Sequence, residues 1–334
     1  MAAPKTRSTI FDVAEAAGVS ITTVSHVFSG KRRVNEATRQ RVLEVAERLS
    51  YRPRAIARAL AAGRTNTLAL SLPFSGPDLL LNSFFAELLP ALSLAALEHA
   101  FSFLFVPPDA SAELTEPLLA GGGVDAAVLV FPAADDPVAR AVIALAFPYV
   151  SIGPVEDPRG GSWVGADARE IQAPVFAHLQ DRGYERPALV SLARQPTAVL
   201  DHEAAFRELA GAAAPIVESA HVAERDGYDA ALALLAQADG RPDAVLCLGD
   251  RVAVGVLMAC DDLGLDVPDQ VGIVSVVDSP LATRVRPELT AVDLHPTRHA
   301  EAAIALLAAM LAGEAPESPV RIATDLVRRG STAR

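Results

Sequence analysis

The stretch Thr9–Phe28, TIFDVAEAAGVSITTVSHVF, predicts two short helices separated by a glycine. Thr9 is followed three residues later by Asp12, which is the spacing of a capping box at a helix N-terminus. Gly18 supplies the left-handed residue that ends a helix, and Ser20 is a typical N-cap for the next one. The second helix is rich in short hydroxyl side chains, which suit contact with a polar surface better than core packing.

Two helices joined by so tight a turn form a helix-turn-helix. Ala14 and Ala17 are small enough for close helix crossing, and Val24 is expected to anchor the second helix to a core. Residues on the outer face of its first two turns contact base edges when such a helix lies in a major groove. The predicted base-reading residues are therefore Ile21, Thr22, Ser25 and His26. Hydroxyls at a helix start bind phosphate oxygens, which assigns that role to Ser20 and Thr23.

Charge is distributed unevenly along the chain. The 334 residues carry a net charge of −12, yet residues 1–65 hold twelve Lys and Arg against five Asp and Glu, a charge of +7. The remaining residues therefore carry −19. Phosphates attract the basic N-terminal region and repel the acidic remainder of the chain. This charge distribution orients the molecule on a polyanion.

A third helix is predicted after the helix-turn-helix. Asn35 is expected to cap it, and its apolar stripe is Val42, Leu43, Ala46 and Leu49. The segment YRPR ends it, because the residue before a proline disfavours the helical conformation. The AIARALAAG that follows predicts one or two further helical turns.

From residue 67 onward, short apolar runs alternate with longer amphipathic stretches, a pattern typical of parallel sheets covered by helices on both faces. The predicted strands are 68–72, 101–106, 126–131, 149–152, 188–192, 244–248 and 271–276. So many strands favour two α/β lobes over a single sheet. Two such lobes place a ligand cleft between them, at the carboxyl ends of strands.

Several functional classes are excluded by what the chain lacks. The N-terminus has no apolar segment typical of a secretory signal, and no apolar run approaches the ~18 residues of a membrane span, so we expect a cytoplasmic protein. Cys247 and Cys260 make no disulfide framework and are expected in the core. No catalytic motif, cofactor loop or metal-spaced cluster occurs, so neither an enzyme nor a cofactor is predicted. Four scattered histidines are expected at the surface or at helix caps: His178, His221, His295 and His299.

Residues 9–70 resemble the DNA-binding head and hinge of the lactose-repressor/galactose-repressor (LacI/GalR) family of bacterial transcription regulators. NSFFAELLPAL is similar to the first helix of the family's sensor domain, and VPDQVGIVSVVDSPLATRVRPELTAV and LVRRGST are similar to its last third. The resemblance implies an all-α, lambda-repressor-like helix-turn-helix head over residues 1–53 and a hinge over 54–66. Residues 67–334 would form a two-lobed α/β body with parallel sheets, like that of periplasmic binding proteins.

The family implies a homodimer whose two heads read a palindromic operator in double-stranded DNA and whose cleft binds a small-molecule effector. In the family, the hinge becomes a helix on DNA and a leucine wedges into the minor groove, a role that falls here to Leu60. Such a wedge unstacks a base step and bends the duplex. Phosphate contacts are expected from Thr9, Ser20, Thr23, Ser29, Asn35, Arg52, Arg54 and Arg58.

The head departs from the family pattern at three positions. His26 stands where the family usually carries Arg, which makes bidentate contacts to guanine, whereas His makes one bond and is partly charged near neutrality. Arg54 and Ser29 each replace an Asn. The base preference opposite His26 therefore stays open.

The cleft departs further. Sugar-binding relatives present an Arg, an Asn and an Asp to ligand hydroxyls, and these positions are His202, Gly249 and Val277 here. A site stripped of such partners should bind sugars poorly. Three alternatives stay open: a less polar effector, a shifted constellation using Asp278, His202 and Asp167, or no small-molecule effector. The candidate effector-binding residues are Phe84, Asp167, His202, Asp250 and Asp278.

Rival classes of function make different predictions. A two-lobed solute-binding sensor without a DNA role predicts an export signal and no basic head. An enzyme predicts a nucleophile or a cofactor loop at a strand end. We therefore expect a dimeric, sequence-specific DNA-binding regulator, with a repressor as the first interpretation, while the operator and the effector are not specified by the sequence.

Overall fold

The computed structural model describes residues 8–29, 32–49, 51, 64–73, 79, 81–107, 110–133, 135–193, 197–236 and 239–334. Within these ranges the chain forms eleven α-helices and twelve strands. They form a small helical head with its own apolar core and two α/β lobes, each built on one sheet. The expected hinge over 54–66 falls mostly outside the described residues and stays a prediction.

The head contains helices α1 (Ile10–Ala17), α2 (Ile21–Ser29) and α3 (Glu36–Arg48). The three helices share a small apolar core formed by Val13, Ala14, Ala17, Val24, Val42, Val45 and Ala46. The predicted stripe of α3 is wrong at Leu43, which is 39% exposed, whereas Val45 is 6% exposed. The helical repeat places Val45 beside the other core positions and rotates Leu43 away from them.

The first lobe follows the βα alternation that the sequence predicts. Its elements are β1 (Thr67–Ser71), α4 (Ser83–Glu98), β2 (Ser102–Val106), α5 (Ala112–Ala120), β3 (Ala126–Val130), α6 (Pro137–Ala144), β4 (Tyr149–Ile152) and β5 (Trp163–Gly165). The strands are parallel in the order β2-β1-β3-β4-β5. This order is that of a doubly wound sheet, whose ligand crevice lies at the carboxyl ends of the strands.

The second lobe repeats the same topology. Its elements are α7 (Ala168–Asp181), β6 (Pro187–Leu192), α8 (Thr197–Ala210), β7 (Ile216–Ser219), α9 (Glu224–Leu235), β8 (Ala244–Cys247), α10 (Asp250–Asp262), β9 (Gly272–Ser275) and β10 (Thr290–Asp293). The strands run β7-β6-β8-β9-β10 and are parallel. Cys247 and Cys260 are both fully buried in this lobe, as predicted.

The chain returns to each lobe before it ends. Helix α11 (Pro296–Leu311) and strand β11 (Val320–Arg321) belong to the first lobe, where β11 pairs with β5. Strand β12 (Asp325–Val327) pairs antiparallel with β10, and a 3₁₀ turn over Gly330–Thr332 packs beside it. Three chain segments therefore connect the lobes, between β5 and α7, between β10 and α11, and between β11 and β12. Within the described ranges, no helix has the length and apolar character needed to cross a membrane.

All seven predicted strands form, each within about one residue of its expected bounds. Five strands were missed: β5, β7, β10, β11 and β12. Each has four residues or fewer. Strands β7, β10, β11 and β12 also include polar side chains, and β5 has only three residues, so all five lack the long apolar run of a strand buried on both faces.

Candidate nucleic-acid interface and interlobe site

The turn between α1 and α2 is held by caps on both sides. Thr9 Oγ1 accepts a bond from the Asp12 backbone N–H at 3.4 Å, and the Asp12 carboxylate accepts one from the Thr9 N–H at 2.7 Å. Gly18 ends α1 with a φ of 64°, a left-handed conformation that favours glycine. Ser20 Oγ accepts the Thr23 N–H at 3.1 Å and so caps α2. The predicted capping box and both predicted caps are confirmed.

Helix α2 is anchored by Val24, which is fully buried. The opposite side carries the four predicted base-reading residues. Ile21 is 41% exposed, Thr22 is also exposed, and Ser25 and His26 are half-buried. None of the four lies inside the head, so this face of α2 is free to enter a groove. Their contact with bases stays a prediction.

The described phosphate-binding candidates lie at helix starts. Asn35 Oδ1 accepts the Ala37 N–H at 2.9 Å, and the hydroxyls of Ser20 and Thr23 share a bond of 2.9 Å. A hydroxyl engaged in one bond keeps capacity for another, which leaves these groups able to bind a phosphate oxygen. The side chain of Ser29 and all of Arg52, Arg54, Arg58 and Leu60 lie outside the described residues.

The positive charge of the head is solvent-exposed wherever the structure describes it. Five arginines of the head are exposed: Arg32, Arg33, Arg39, Arg41 and Arg48. Arg39 also pairs with Glu36 at 3.3 Å, an exposed contact that contributes little to stability. These side chains supply the field that draws the head to a polyanion.

A cavity of about 110 Å³ lies between the two lobes. Among the described residues that line it, fifteen of eighteen are apolar. The first lobe contributes Phe84, Phe85 and Phe131, whose ring centroids lie 5.4 to 6.3 Å apart. The polar lining residues are Asn82, Asp201 and His202. Of the five predicted effector-binding residues, the structure therefore brings Phe84 and His202 together at this cavity.

His202 is held in a neutral form by its surroundings. Gln172 Nε2 lies 2.9 Å from His202 Nδ1 and 2.8 Å from the His202 carbonyl oxygen. Since the carbonyl oxygen accepts from this nitrogen, the amide also donates to Nδ1, and the ring proton resides on Nε2. The ring is shielded from solvent although the residue as a whole is half-buried. Burial lowers the pKa of His202 to about 4.

Asp250 bridges the two lobes at a point outside the described lining of the cavity. The residue is 1% exposed. Its Oδ2 accepts from Ser83 Oγ at 2.5 Å and from Ser279 Oγ at 2.6 Å. Ser83 begins α4 in the first lobe, whereas Asp250 and Ser279 belong to the second. These charge-assisted bonds connect the lobes on one side of the cleft.

The other two predicted effector carboxylates are already paired elsewhere. Asp167 caps α7 and lies 3.3 Å from Arg321. Asp278 accepts from both terminal nitrogens of Arg329, each at 2.8 Å. Neither carboxylate is among the described residues that line the cavity. The shifted constellation considered from the sequence is therefore not assembled at this cavity.

Two of the four histidines expected at the surface are buried, so that expectation was wrong for them. His178 is 4% exposed and shares a bond of 2.8 Å with Thr332. His299 is also 4% exposed and packs edge-on against an aromatic ring of the cavity wall. Burial lowers the pKa of both. His221 is exposed and His295 precedes α11 at its cap position, as expected.

Sequence analysis missed the other two polar residues of the cavity. Asn82 caps α4 by accepting the Phe84 N–H at 3.0 Å. Asp201 precedes His202 in α8, and its carboxylate has no hydrogen-bond or ion-pair partner among the described residues. Burial, with a smaller contribution from the charge of Glu156, raises its pKa. The one signal in the sequence that could have placed Asp201 at the cavity is that it directly precedes His202, which occupies an effector position of the family.

Comparisons with known proteins agree with this architecture. Residues 9–54 match the family model for bacterial regulatory proteins of the lacI family, and residues 176–332 match a periplasmic binding protein-like domain. Catabolite control protein A of Priestia megaterium is 29% identical over 292 residues, which cover 85% of this chain and 86% of that protein. Its counterpart in Staphylococcus xylosus is 28% identical over 299 residues, with the same two shares.

Two solved structures are similar over almost the whole chain. The complex of the transcriptional regulator CelR with cellobiose has 28% identity and a TM-score of 0.69, and covers 97% of this chain and 100% of that one. The lac repressor dimer bound to operator and the anti-inducer ONPF has a TM-score of 0.82 and 20% identity, with 98% of this chain and 99% of that one covered. At that identity, the likeness to the lac repressor concerns the fold.

The head is a helix-turn-helix with an exposed second helix, and the body consists of two α/β lobes around a cavity. This combination defines the class of DNA-binding regulators whose body resembles a ligand-binding protein. The chain combines a DNA-binding domain of the LacI family of bacterial regulatory proteins with a periplasmic binding protein-like domain, and it is similar to catabolite control protein A over most of its length. The predicted family and fold are confirmed. The relatives are transcription regulators and not enzymes.

Proposed function

We propose that the protein is a repressor that binds a palindromic operator as a homodimer and responds to a small molecule in the interlobe cavity. The observation that carries this proposal is the exposed face of α2 with Ile21, Thr22, Ser25 and His26, held by caps at both ends of the turn. Base contacts from this face specify sequence, while helix-start hydroxyls and arginines position the head on phosphates. Such a protein acts in the bacterial cytoplasm, on the nucleoid.

The proposed homodimer is supported by an uncovered apolar surface on the first lobe. Strand β2 is the edge of its sheet. On it Leu104 is 40% and Phe105 is 59% exposed, and on the adjacent α4 Leu94 is 67% and Leu97 is 70% exposed. We call these four residues the edge face. An exposed edge strand flanked by large apolar side chains is a typical interaction surface, and a second copy of the chain would cover it in the proposed dimer.

The proposed regulation uses the two lobes as a two-state element. The cavity is lined by both lobes, and the bond between Ser83 and Asp250 joins them beside it. A ligand that binds one relative orientation of the lobes more tightly shifts the population towards that orientation. In a dimer this shift changes the spacing of the two hinges and heads, so operator affinity changes by the same coupling free energy. Leu60 would then act as the minor-groove wedge at the operator centre.

Selection of random double-stranded oligonucleotides with the full-length protein tests the DNA role. We expect a palindromic consensus, with binding that weakens steeply as salt rises because phosphate contacts release counterions. Ser25→Ala should reduce affinity for the selected duplex by about fivefold or more, since a lost base contact costs roughly 1–3 kcal/mol. Ser111→Ala, at an exposed serine of the body, is the matched control and should leave affinity unchanged.

The same selection defines the results that contradict the proposal. Recovery of no preferred sequence at low ionic strength would exclude a sequence-specific regulator. Equal effects of the Ser25 and Ser111 substitutions would exclude α2 as the base-reading element.

A further inference from the structure

The interlobe cavity combines apolar walls with one unpartnered carboxylate. Three phenylalanine rings, Phe84, Phe85 and Phe131, form much of the wall on the first lobe. Asp201 lies on the second lobe, half-buried, without a hydrogen-bond or ion-pair partner among the described residues. A half-buried carboxylate left unpaired costs free energy that an incoming cation would recover.

The electrostatic surroundings of Asp201 are negative. Glu156 and Asp167 both act on it with like charge. Among the described residues that line the cavity there is no Lys or Arg, and His202 is neutral. Arg321, which pairs with Asp167 at 3.3 Å, also lies over the ring of Trp163 at 4.7 Å. The cavity therefore favours a positive ligand and repels an anion.

The remaining polar groups offer little to a polyhydroxylated ligand. Asn82 Oδ1 already accepts the Phe84 N–H, and His202 Nδ1 already accepts from Gln172. Among the described lining residues this leaves three polar groups for a ligand: the Asn82 amide nitrogen, His202 Nε2 and the Asp201 carboxylate. A sugar buried here would bring more hydroxyl groups than these atoms can pair with, and each unpaired hydroxyl would weaken its binding. Apolar walls around a few polar groups instead suit a ligand that is mostly apolar.

We propose that this cavity binds a small organic cation, a primary amine on an aliphatic or aromatic body, with its ammonium group on Asp201 and its body against the phenylalanine rings. The volume of about 110 Å³ is below the ~150 Å³ of an apolar cavity known to hold benzene, so the enclosed body of the ligand is no larger than one ring, with its ammonium group at the half-buried Asp201. That this amine regulates transcription rests on the proposed function, whereas its binding does not.

Isothermal titration of the full-length protein near neutral pH with three ligands of one shape tests the proposal. Benzylamine is the cation, benzyl alcohol the neutral analogue and benzoate the anion, with cellobiose as the sugar. We expect benzylamine to bind about tenfold or more tightly than benzyl alcohol because a charge-assisted bond replaces a neutral one. Benzoate and cellobiose should bind more weakly than either. Absence of benzylamine binding, or tighter binding of benzoate or cellobiose, overturns the proposal.

A matched pair of variants assigns the charge recognition to one carboxylate. Asp201→Asn should reduce benzylamine affinity about tenfold and leave benzyl alcohol within about twofold of its original affinity, because the walls are unchanged. Asp261→Asn removes an exposed carboxylate of α10 and should leave both affinities unchanged. Equal benzylamine affinity in the Asp201 variant and the parent protein also overturns the proposal.

The two proposals fail independently. The titration contains no DNA, and the oligonucleotide selection contains no amine. Amine binding without a selected DNA sequence would contradict the proposed function only, and a selected operator without amine binding would contradict this inference only.

Discussion

Polar side chains at the interlobe cleft are accommodated in two ways: some have hydrogen-bond partners, and one is electrically neutral. The carboxylates of Asp250 and Asp278 each accept three hydrogen bonds. His202 is neutral and accepts a bond on Nδ1. Asp201, in contrast, has no hydrogen-bond or ion-pair partner among the described residues. This contrast identifies Asp201 as the residue of the cleft that still needs a partner.

Protonation of His202 should be displaced to acid pH in the folded protein. Burial lowers its pKa from 6.5 to about 4. The unfolded chain therefore takes up this proton at higher pH than the folded one, so the contribution of His202 to stability is present above 6.5 and is lost as pH falls from 6.5 towards 4. His178 and His299 shift in the same direction.

Nuclear magnetic resonance of the imidazole Hε1 proton measures this displacement. The His202 signal, assigned by its disappearance in His202→Gln, should stay constant from about pH 8 to about pH 5 in the folded protein. In urea the same proton should titrate near the ordinary value of about 6.5. A midpoint near 6.5 in the folded protein would show that burial does not control the ring.

At the scale of elements, the head depends on caps more than on core size. Among its described residues, the buried core consists of seven Val and Ala side chains, too few to define helix ends by packing. Thr9, Gly18, Ser20 and Asn35 define those ends through local bonds and a left-handed turn. These residues are recognisable in the sequence because each cap needs a particular residue type at a particular offset.

Removing the capping box should destabilise the head without affecting the lobes. Thr9→Ala deletes the hydroxyl that accepts the Asp12 N–H and should cost about 1 kcal/mol. Amide hydrogen exchange on the full chain should then be about fivefold faster for α1 and α2. Thr9→Ser keeps the hydroxyl and is the control. If Thr9→Ala and Thr9→Ser gave the same exchange rates, the side-chain cap would have no role in the stability of the head.

Elements with a strong local signal were predictable, and elements defined by their neighbours were not. Strands β3 and β8 were predictable from continuous apolar runs, because a parallel strand covered on both faces needs such a run. Strand β11 has only two residues and exists because the chain returns beside β5. Helices α9 and α10 approach closely at Gly227 and Gly255, where an added Cβ would collide with the facing backbone. The sequence shows the glycines but not which helix faces them.

At the scale of the whole molecule, the cavity exists because the chain passes between the lobes three times. Residues as distant in sequence as Asn82 and Leu294 meet at its wall. The sequence predicted a cleft from the repeated βα pattern and placed Phe84 and His202 there through family resemblance. It could not predict that Asp167, Asp250 and Asp278 would be paired elsewhere, because their partners come from distant parts of the fold.

Assembly through the edge face should control both mass and operator affinity. Leu97→Asp places a charge among the exposed apolar residues of α4 and should convert a dimer into a monomer, because burying an unpaired carboxylate in an interface is costly. Light scattering should then fall from twice the chain mass of 34.9 kDa to that mass. Affinity for a palindromic duplex should fall about 100-fold or more because the second head loses its effective concentration, while affinity for a half-site stays constant.

Leu114→Asp is the matched control for this substitution. Leu114 is 71% exposed on α5, and α5 packs on the opposite face of the first sheet from α4. The same charge at this position should leave the dimer and its operator affinity intact. If both aspartate variants remained dimeric, another surface would form the dimer. If Leu97→Asp were monomeric yet bound the palindrome as tightly as the parent chain, operator binding would not require two coupled heads, and regulation through hinge spacing would lose its physical basis.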